Sequence, residues 1–141
     1  MDHAAPYPPE YIRDILDEVK TIAVVGASPK PGRPSHGVMR RLIAAGYDVI
    51  PVNPGQAGKE ILDRKVVATL ADIDGPVDMV DVFREKSALK GVAEQAVAIG
   101  ARVLWTQLEL VDPDAARLAE DAGLKVVMDR CPAIELRRLG R

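Results

Sequence analysis

The sequence predicts an α/β protein: one Rossmann-like domain built on a doubly wound, mostly parallel sheet with helices on both faces. Three observations predict it. Short β-branched runs alternate with segments of helical periodicity along the whole chain, the pattern of successive βαβ units. Hydrophobic residues make up 48% and aromatic residues only 4%, so the core must be Val, Ile, Leu and Ala, the usual material of a sheet buried on both faces. The 141 residues match the usual size of one domain and can bury a core without staples.

The elements follow in order. Residues 1–9, with Pro6, Pro8 and Pro9, lack periodicity and read as a partly ordered arm on or near the surface, leaving residues 10–141 as the domain. Ile12, Ile15, Leu16 and Val19 recur at helical spacing, which makes Glu10 to Val19 an amphipathic helix. Thr21 to Val25 is a β-branched strand ending at Gly26, and Val38 to Ala45 turns helical before Gly46 stops it. Tyr47 to Val52 is the next strand, closed by Asn53, Pro54 and Gly55. Lys59 to Leu70 shows no clear periodicity beyond a short Val66-Val67 strand, and no helix is placed there.

Val77 to Phe83 reads as a buried strand, Ala88 to Ile99 as a helix closed by Gly100, and Arg102 to Trp105 as a strand. Asp112 and Pro113 cap and open a further helix that ends near Gly123. Lys125 to Met128 supplies the last strand, and Pro132 opens a short terminal helix. The formal net charge is −2 and the two signs alternate, so no positive field is present to hold nucleic acid. Cys131 is the only cysteine, which excludes an internal disulfide and a multi-cysteine zinc site; no other metal site is read, and a reducing cytoplasm is the expected compartment. No basic N-terminal patch precedes an apolar run, and no apolar run approaches the ~20 residues of a membrane span, so a soluble chain without membrane contact is expected.

In such a sheet, ligands bind beyond the carboxyl ends of the strands, where strand order reverses. Five turns are therefore candidates: Gly26-Ala27-Ser28, Asn53-Pro54, Phe83-Arg84, Thr106-Gln107 and Asp129-Arg130-Cys131. The stretch from Gly26 to Gly37 is the most informative. Its small residues admit close backbone approach, and the amides of the helix start favour an anion such as phosphate. Lys30 and Arg33 add full charges there, while Ser28 and Ser35 add hydroxyl donors, although Ser35 also suits an N-cap. A dinucleotide fingerprint is missing, because Ser28 holds its second glycine position and Asn53-Pro54 stands where an acidic residue would meet a ribose. No Gly-Lys-Ser or Gly-Lys-Thr run of a Walker loop occurs either, so NAD and ATP are disfavoured.

Together these segments resemble the bacterial CoA-binding proteins that consist of one Rossmann-like domain, similar to the N-terminal CoA-binding domain of the succinyl-CoA synthetase alpha subunit. The likeness runs from about Ile12 to Leu139. It rests on Val24-Val25-Gly26-Ala27-Ser28 with Lys30-Pro31-Gly32, Tyr47 to Pro54, Val80-Asp81-Val82-Phe83-Arg84, Trp105-Thr106-Gln107-Leu108, and Met128-Asp129-Arg130-Cys131-Pro132, in that order. The resemblance implies coenzyme A as ligand, with Gly26, Ala27 and Ser28 at its pyrophosphate and Lys30 and Arg33 positioned for its phosphates. It further implies Asn53 and Pro54 as a second wall, Phe83 and Arg84 beside the adenine or the pantetheine, and Gln107 at the mouth. The synthetases phosphorylate a histidine in a second domain, and neither His36 nor His3 is placed to replace it.

Three other residues are read structurally. Cys131 fills a helix start, although a thiol there can be acidic and reactive. Trp105 belongs to the core, and Asp81 is expected to hydrogen-bond backbone amides of neighbouring loops. The expected function is binding of coenzyme A or a short acyl-CoA, as a carrier, sensor or accessory module without chemistry of its own. Two rivals are a CoA-dependent ligase fragment or thioester-handling enzyme that uses Cys131 or Asp81, and an NADP-type module in which Arg33 or Arg84 binds a 2′-phosphate. The sequence leaves any protein partner and the oligomeric state open.

Overall fold

In the computed structural model, which describes residues 1–141, the strands are β1 (Thr21–Val25), β2 (Asp48–Val52), β3 (Glu60–Ile61), β4 (Arg64–Lys65), β5 (Met79–Val82), β6 (Val103–Thr106) and β7 (Lys125–Val127). The helices are α1 (Pro9–Glu18), α2 (Pro34–Ala44), α3 (Leu89–Ala98), α4 (Pro113–Asp121) and α5 (Pro132–Arg138). Five strands form one sheet in the order β2-β1-β5-β6-β7 with every pair parallel, while β3 and β4 make a separate antiparallel hairpin. None of the helices is long and apolar enough to cross a membrane.

Strand alternation divides the core into two layers. Ile22, Val24, Met79, Val103, Trp105 and Val127 face α1, α2 and α5. Ala23, Val25, Val80, Val82, Leu104 and Val126 face α3 and α4. Both faces of the sheet are therefore covered, as the near-continuous apolar strands require, and Trp105 is fully buried with its indole N–H donated to the Arg130 carbonyl at 2.8 Å.

The helix after β1 begins at Pro34, four residues before its apolar periodicity starts. Proline is well suited to the first helical position, and Ser35-His36-Gly37 read as loop only because their burial depends on tertiary packing. The ambiguous segment before Leu70 holds the β3–β4 hairpin, whose turn residues Leu62 and Asp63 both have positive φ, 51° and 62°. That turn is normally written with Asn or Gly, so the sequence carries no hairpin signal. Val67, expected in a short strand, makes a single parallel bridge to Val52.

The N-terminal arm and the first turn of α1 close the β7 edge of the sheet. Tyr11 Oη accepts the Val126 N–H at 3.1 Å and donates to the Val126 carbonyl at 2.9 Å. Tyr7 Oη accepts the Met128 N–H at 2.8 Å, and the two tyrosine rings stack at 5.9 Å between centroids. Two hydroxyls thus stand where a sixth strand would bond, which blunts the edge against another chain. Burial pushes the Tyr11 hydroxyl up to about 12 despite its hydrogen bond from the Val126 backbone, so it retains the proton it donates. Tyr11→Phe is expected to lower stability by about 1–2 kcal/mol in urea unfolding, because both Val126 polar groups lose their partner.

Candidate functional site

The chain leaves β1 for β2 on one side and later returns to β5 on the other, so strand order reverses between β1 and β5. Helix α2 lies over one face and α3 over the other, and a cleft opens between the two strand ends. Gly26, the first residue after β1, sits where the two strands come closest. Its φ is +88°, and a Cβ there would stand 2.2 Å from the carbonyl oxygen of Phe83, the first residue after β5. Glycine is therefore demanded twice, by conformation and by space.

The cleft measures about 630 Å³ and is lined by Gly26, Ala27, Ser28, Lys30, Arg33, Ser35, Asn53, Phe83, Arg84 and Gln107 from the expected set. Pro54 is the exception. It opens the short turn after Asn53 and lines a neighbouring hollow of about 660 Å³ on the α3 side, together with Thr69, Ala88 and Gln95. Gly26, Asn53, Phe83 and Arg84 border both hollows. Pro29, Pro34, Gln56, Leu108 and Leu110 also line the first cleft. The two prolines lay inside the recognised loop, but nothing in the sequence marked Gln56 or Leu110, which local turns bring to the rim.

The loop's own hydrogen bonds determine what it can offer. The Gly26 and Ala27 amides both donate to the Val52 carbonyl, at 3.0 and 3.3 Å, so they close the turn against β2. Asn53 locks the same corner: its Nδ2 donates to the Ala27 carbonyl at 2.7 Å and its Oδ1 accepts the Gly55 amide at 2.9 Å. Ser35 does not cap α2, since the N-cap is Arg33; its Oγ instead accepts the Ser28 amide at 3.1 Å. Ser28 Oγ in turn accepts the Lys30 amide at 3.2 Å. The Ser35 amide at the start of α2 has no acceptor in the chain.

Three cations line the cleft, Lys30, Arg33 and Arg84, and no carboxylate does. Lys30 and Arg33 make no ion pair with any acidic side chain, and Arg84 meets only exposed Glu85, at 3.2 Å. The lining also has an apolar part, Phe83, Leu110 and the half-exposed Leu108. A ligand with an anionic part and an apolar part suits this lining.

The residues weighed for chemistry lie outside this space. Cys131 is buried at the N-cap of α5 and does not line the cleft. Asp81, in the middle of β5, is completely buried, and neither carboxyl oxygen has a hydrogen-bond partner, which overturns the expectation that it binds loop amides. Its side chain projects from a central strand into the apolar layer beneath α2 and α5, where backbone amides are already paired in the sheet. That clasp belongs to Asp78, whose Oδ2 accepts the amides of Lys20 at 2.9 Å and Thr21 at 3.0 Å.

Comparison with known proteins places this geometry. A family model described as a CoA binding domain matches residues 20–137. The chain is 45% identical over 120 residues to the uncharacterized protein YneT of Bacillus subtilis (strain 168), across 85% of this chain and 87% of that one. It is 34% identical over 95 residues to the alpha subunit of acetate–CoA ligase (ADP-forming) I of Pyrococcus furiosus, across 64% of this chain but only 21% of that subunit. A solved structure of a hypothetical protein from Pyrococcus horikoshii OT3 superposes with a TM-score of 0.92 at 40% identity, covering 100% of each chain. With the family model spanning most of its length, this chain belongs to the CoA binding domain family.

Proposed function

We propose that the protein binds coenzyme A or a short acyl-CoA in the cleft between the ends of β1 and β5, as a carrier, sensor or accessory module without chemistry of its own. The observation that carries the reading is the charge of the cleft: three cations, none neutralised from within the lining, around a glycine turn that leaves room for a ligand. Membership of the family supports the choice of ligand. Within the cleft, Lys30, Arg33 and the free Ser35 amide are the donors for the phosphates. Gly26 and Ala27, their amides already bonded, contribute shape. Phe83, Leu108 and Leu110 give the pantetheine arm an apolar wall.

Calorimetry with CoA, acetyl-CoA, NADPH and ATP tests the reading. CoA is expected to bind and NADPH not to; the reverse order would return the cleft to the NADP-type alternative. Lys30→Ala and Arg33→Ala are each expected to weaken CoA by about 1–2 kcal/mol, the value of one charge-assisted contact, with folding unchanged because neither side chain is paired in the free protein. Unaltered affinity in both variants would move the phosphates elsewhere.

A further inference from the structure

Two polar side chains on the same face of neighbouring central strands are buried without partners. Asp81 stands opposite Trp105 in the β5–β6 register, and Gln107 lies two residues beyond Trp105. Period-2 alternation therefore brings Gln107 to the Asp81 side of the sheet, one step nearer the cleft. The Gln107 backbone is pinned, its N–H donated to the Val82 carbonyl at 3.3 Å and its carbonyl accepting the Leu110 amide at 3.1 Å, so only the side chain is free to adjust. Gln107 lines the cleft at 9% exposure, yet its Oε1 is turned away from water with no donor. Asp81 Oδ1 and Oδ2 are the other two orphaned oxygens, so the three buried polar side-chain atoms of the chain without a partner belong to these two residues.

Buried polar atoms without a visible partner are usually joined by an ordered water, and diagonal neighbours on adjacent strands are separated by about the span of one. We propose that Asp81 is a positioning residue for the cleft: its carboxyl and Gln107 Oε1 share one buried water, and this link holds the Gln107 amide with Nε2 directed at a carbonyl or phosphate oxygen of the ligand. The atoms balance. The Asp81 acid O–H donates a hydrogen bond to the water oxygen, and the water donates one O–H to Gln107 Oε1 and the other to the second Asp81 oxygen, with every proton staying on its own atom. Burial with no neighbouring cation favours that acid form. The arrangement explains a carboxyl in a layer otherwise made of Val24, Trp105 and Val127. It does not make Asp81 a reacting group, because the side chain never reaches the cleft surface.

The ligand half of this inference rests on the cleft being the CoA site; the Asp81–Gln107 link does not. Two readouts separate them. In the ligand-free protein, the side-chain amide resonances of Gln107 in a proton–nitrogen spectrum are expected to move toward those of an exposed glutamine in Asp81→Leu and to stay in place in Asp81→Asn, whose amide can still donate to the water. In calorimetry, Asp81→Leu and Gln107→Ala are each expected to weaken CoA about tenfold, their combination no more than either alone, and Asp81→Asn less than about twofold. Unmoved Gln107 resonances in Asp81→Leu, or losses that multiply to about a hundredfold, overturn the proposal. If the wild type ignores CoA while the resonances shift as expected, the functional reading fails and the link stands. Should Asp81→Leu not fold, the carbon shift of the Asp81 carboxyl replaces it as readout: Gln107→Leu must move that shift, and an unmoved one overturns the link.

Discussion

Replacing Gly26 with alanine is expected to be the most damaging small substitution in the molecule, lowering stability by about 4 kcal/mol and abolishing the CoA binding proposed for the cleft. Two costs add. An L-residue at a φ of +88° loses roughly 1–3 kcal/mol to backbone strain. The added methyl would also lie 2.2 Å from the Phe83 carbonyl oxygen, a backbone atom that cannot swing aside. Relief requires β1 and β5 to separate at their carboxyl ends. That motion stretches the Phe83 amide bond to the Val25 carbonyl, now 2.8 Å. The cleft is framed by these same strand ends, so its geometry fails with them. Gly46→Ala serves as the control, because Gly46 has a similar φ of +98° but nothing within 4 Å of its Cβ position. Urea unfolding should show that variant losing only the conformational share, about 1–3 kcal/mol. Equal losses at the two positions would mean that contact with Phe83 contributes nothing.

This contrast marks where sequence reasoning succeeds and where it stops. The β1 boundaries follow directly from the β-branched run Thr21 to Val25, and the reversal of strand order follows from the alternation of elements, so the neighbourhood of Gly26 was legible in one dimension. Which of its atoms are free was not. The Gly26 and Ala27 amides look like phosphate donors in the sequence, and only the position of Val52 on the neighbouring strand reveals that they are occupied. Ser35 shows the same limit: a hydroxyl one residue into a helix reads as a cap, yet it supports the Ser28 amide seven positions back. Asn53 gave the converse lesson, since its place at a strand end was evident but its clamp on the Ala27 carbonyl depends on tertiary approach. The cover over β7 also escaped the sequence, because Tyr7 of the arm and Tyr11 of α1 acquire their role from the unpaired edge of β7, which is more than a hundred residues away.

Asp78 and Asp81 lie three residues apart and should give the pH dependence of stability two opposite contributions. Burial pushes the Asp78 carboxyl up, but the amides of Thr21 and Lys20 and the Arg102 guanidinium outweigh it and hold the group below its usual range. A depressed folded-state pKa stabilises above the unfolded value and is lost as pH falls through the folded one, so Asp78 weakens the protein only on the acid side. Asp81 is the reverse case. Burial alone raises it well above the ordinary carboxylate range, so the folded state keeps a proton that the unfolded chain releases near pH 4. Stability must then fall as pH rises from about 4 toward the folded-state pKa, by up to about 1.4 kcal/mol per pH unit from this one group. Asp81→Asn preserves size and hydrogen-bonding capacity and removes the titration. Urea unfolding at a series of pH values from 4 to 8 is therefore expected to show similar stabilities for the two proteins at the acid end and a widening advantage for Asp81→Asn as pH increases. Stability curves that remain parallel across that range would show that Asp81 ionises freely in the folded protein. A carboxyl able to do so would have bulk solvent or a cation beside it, not one shared buried water, and the apolar packing of Val24 and Trp105 around β5 would need revision.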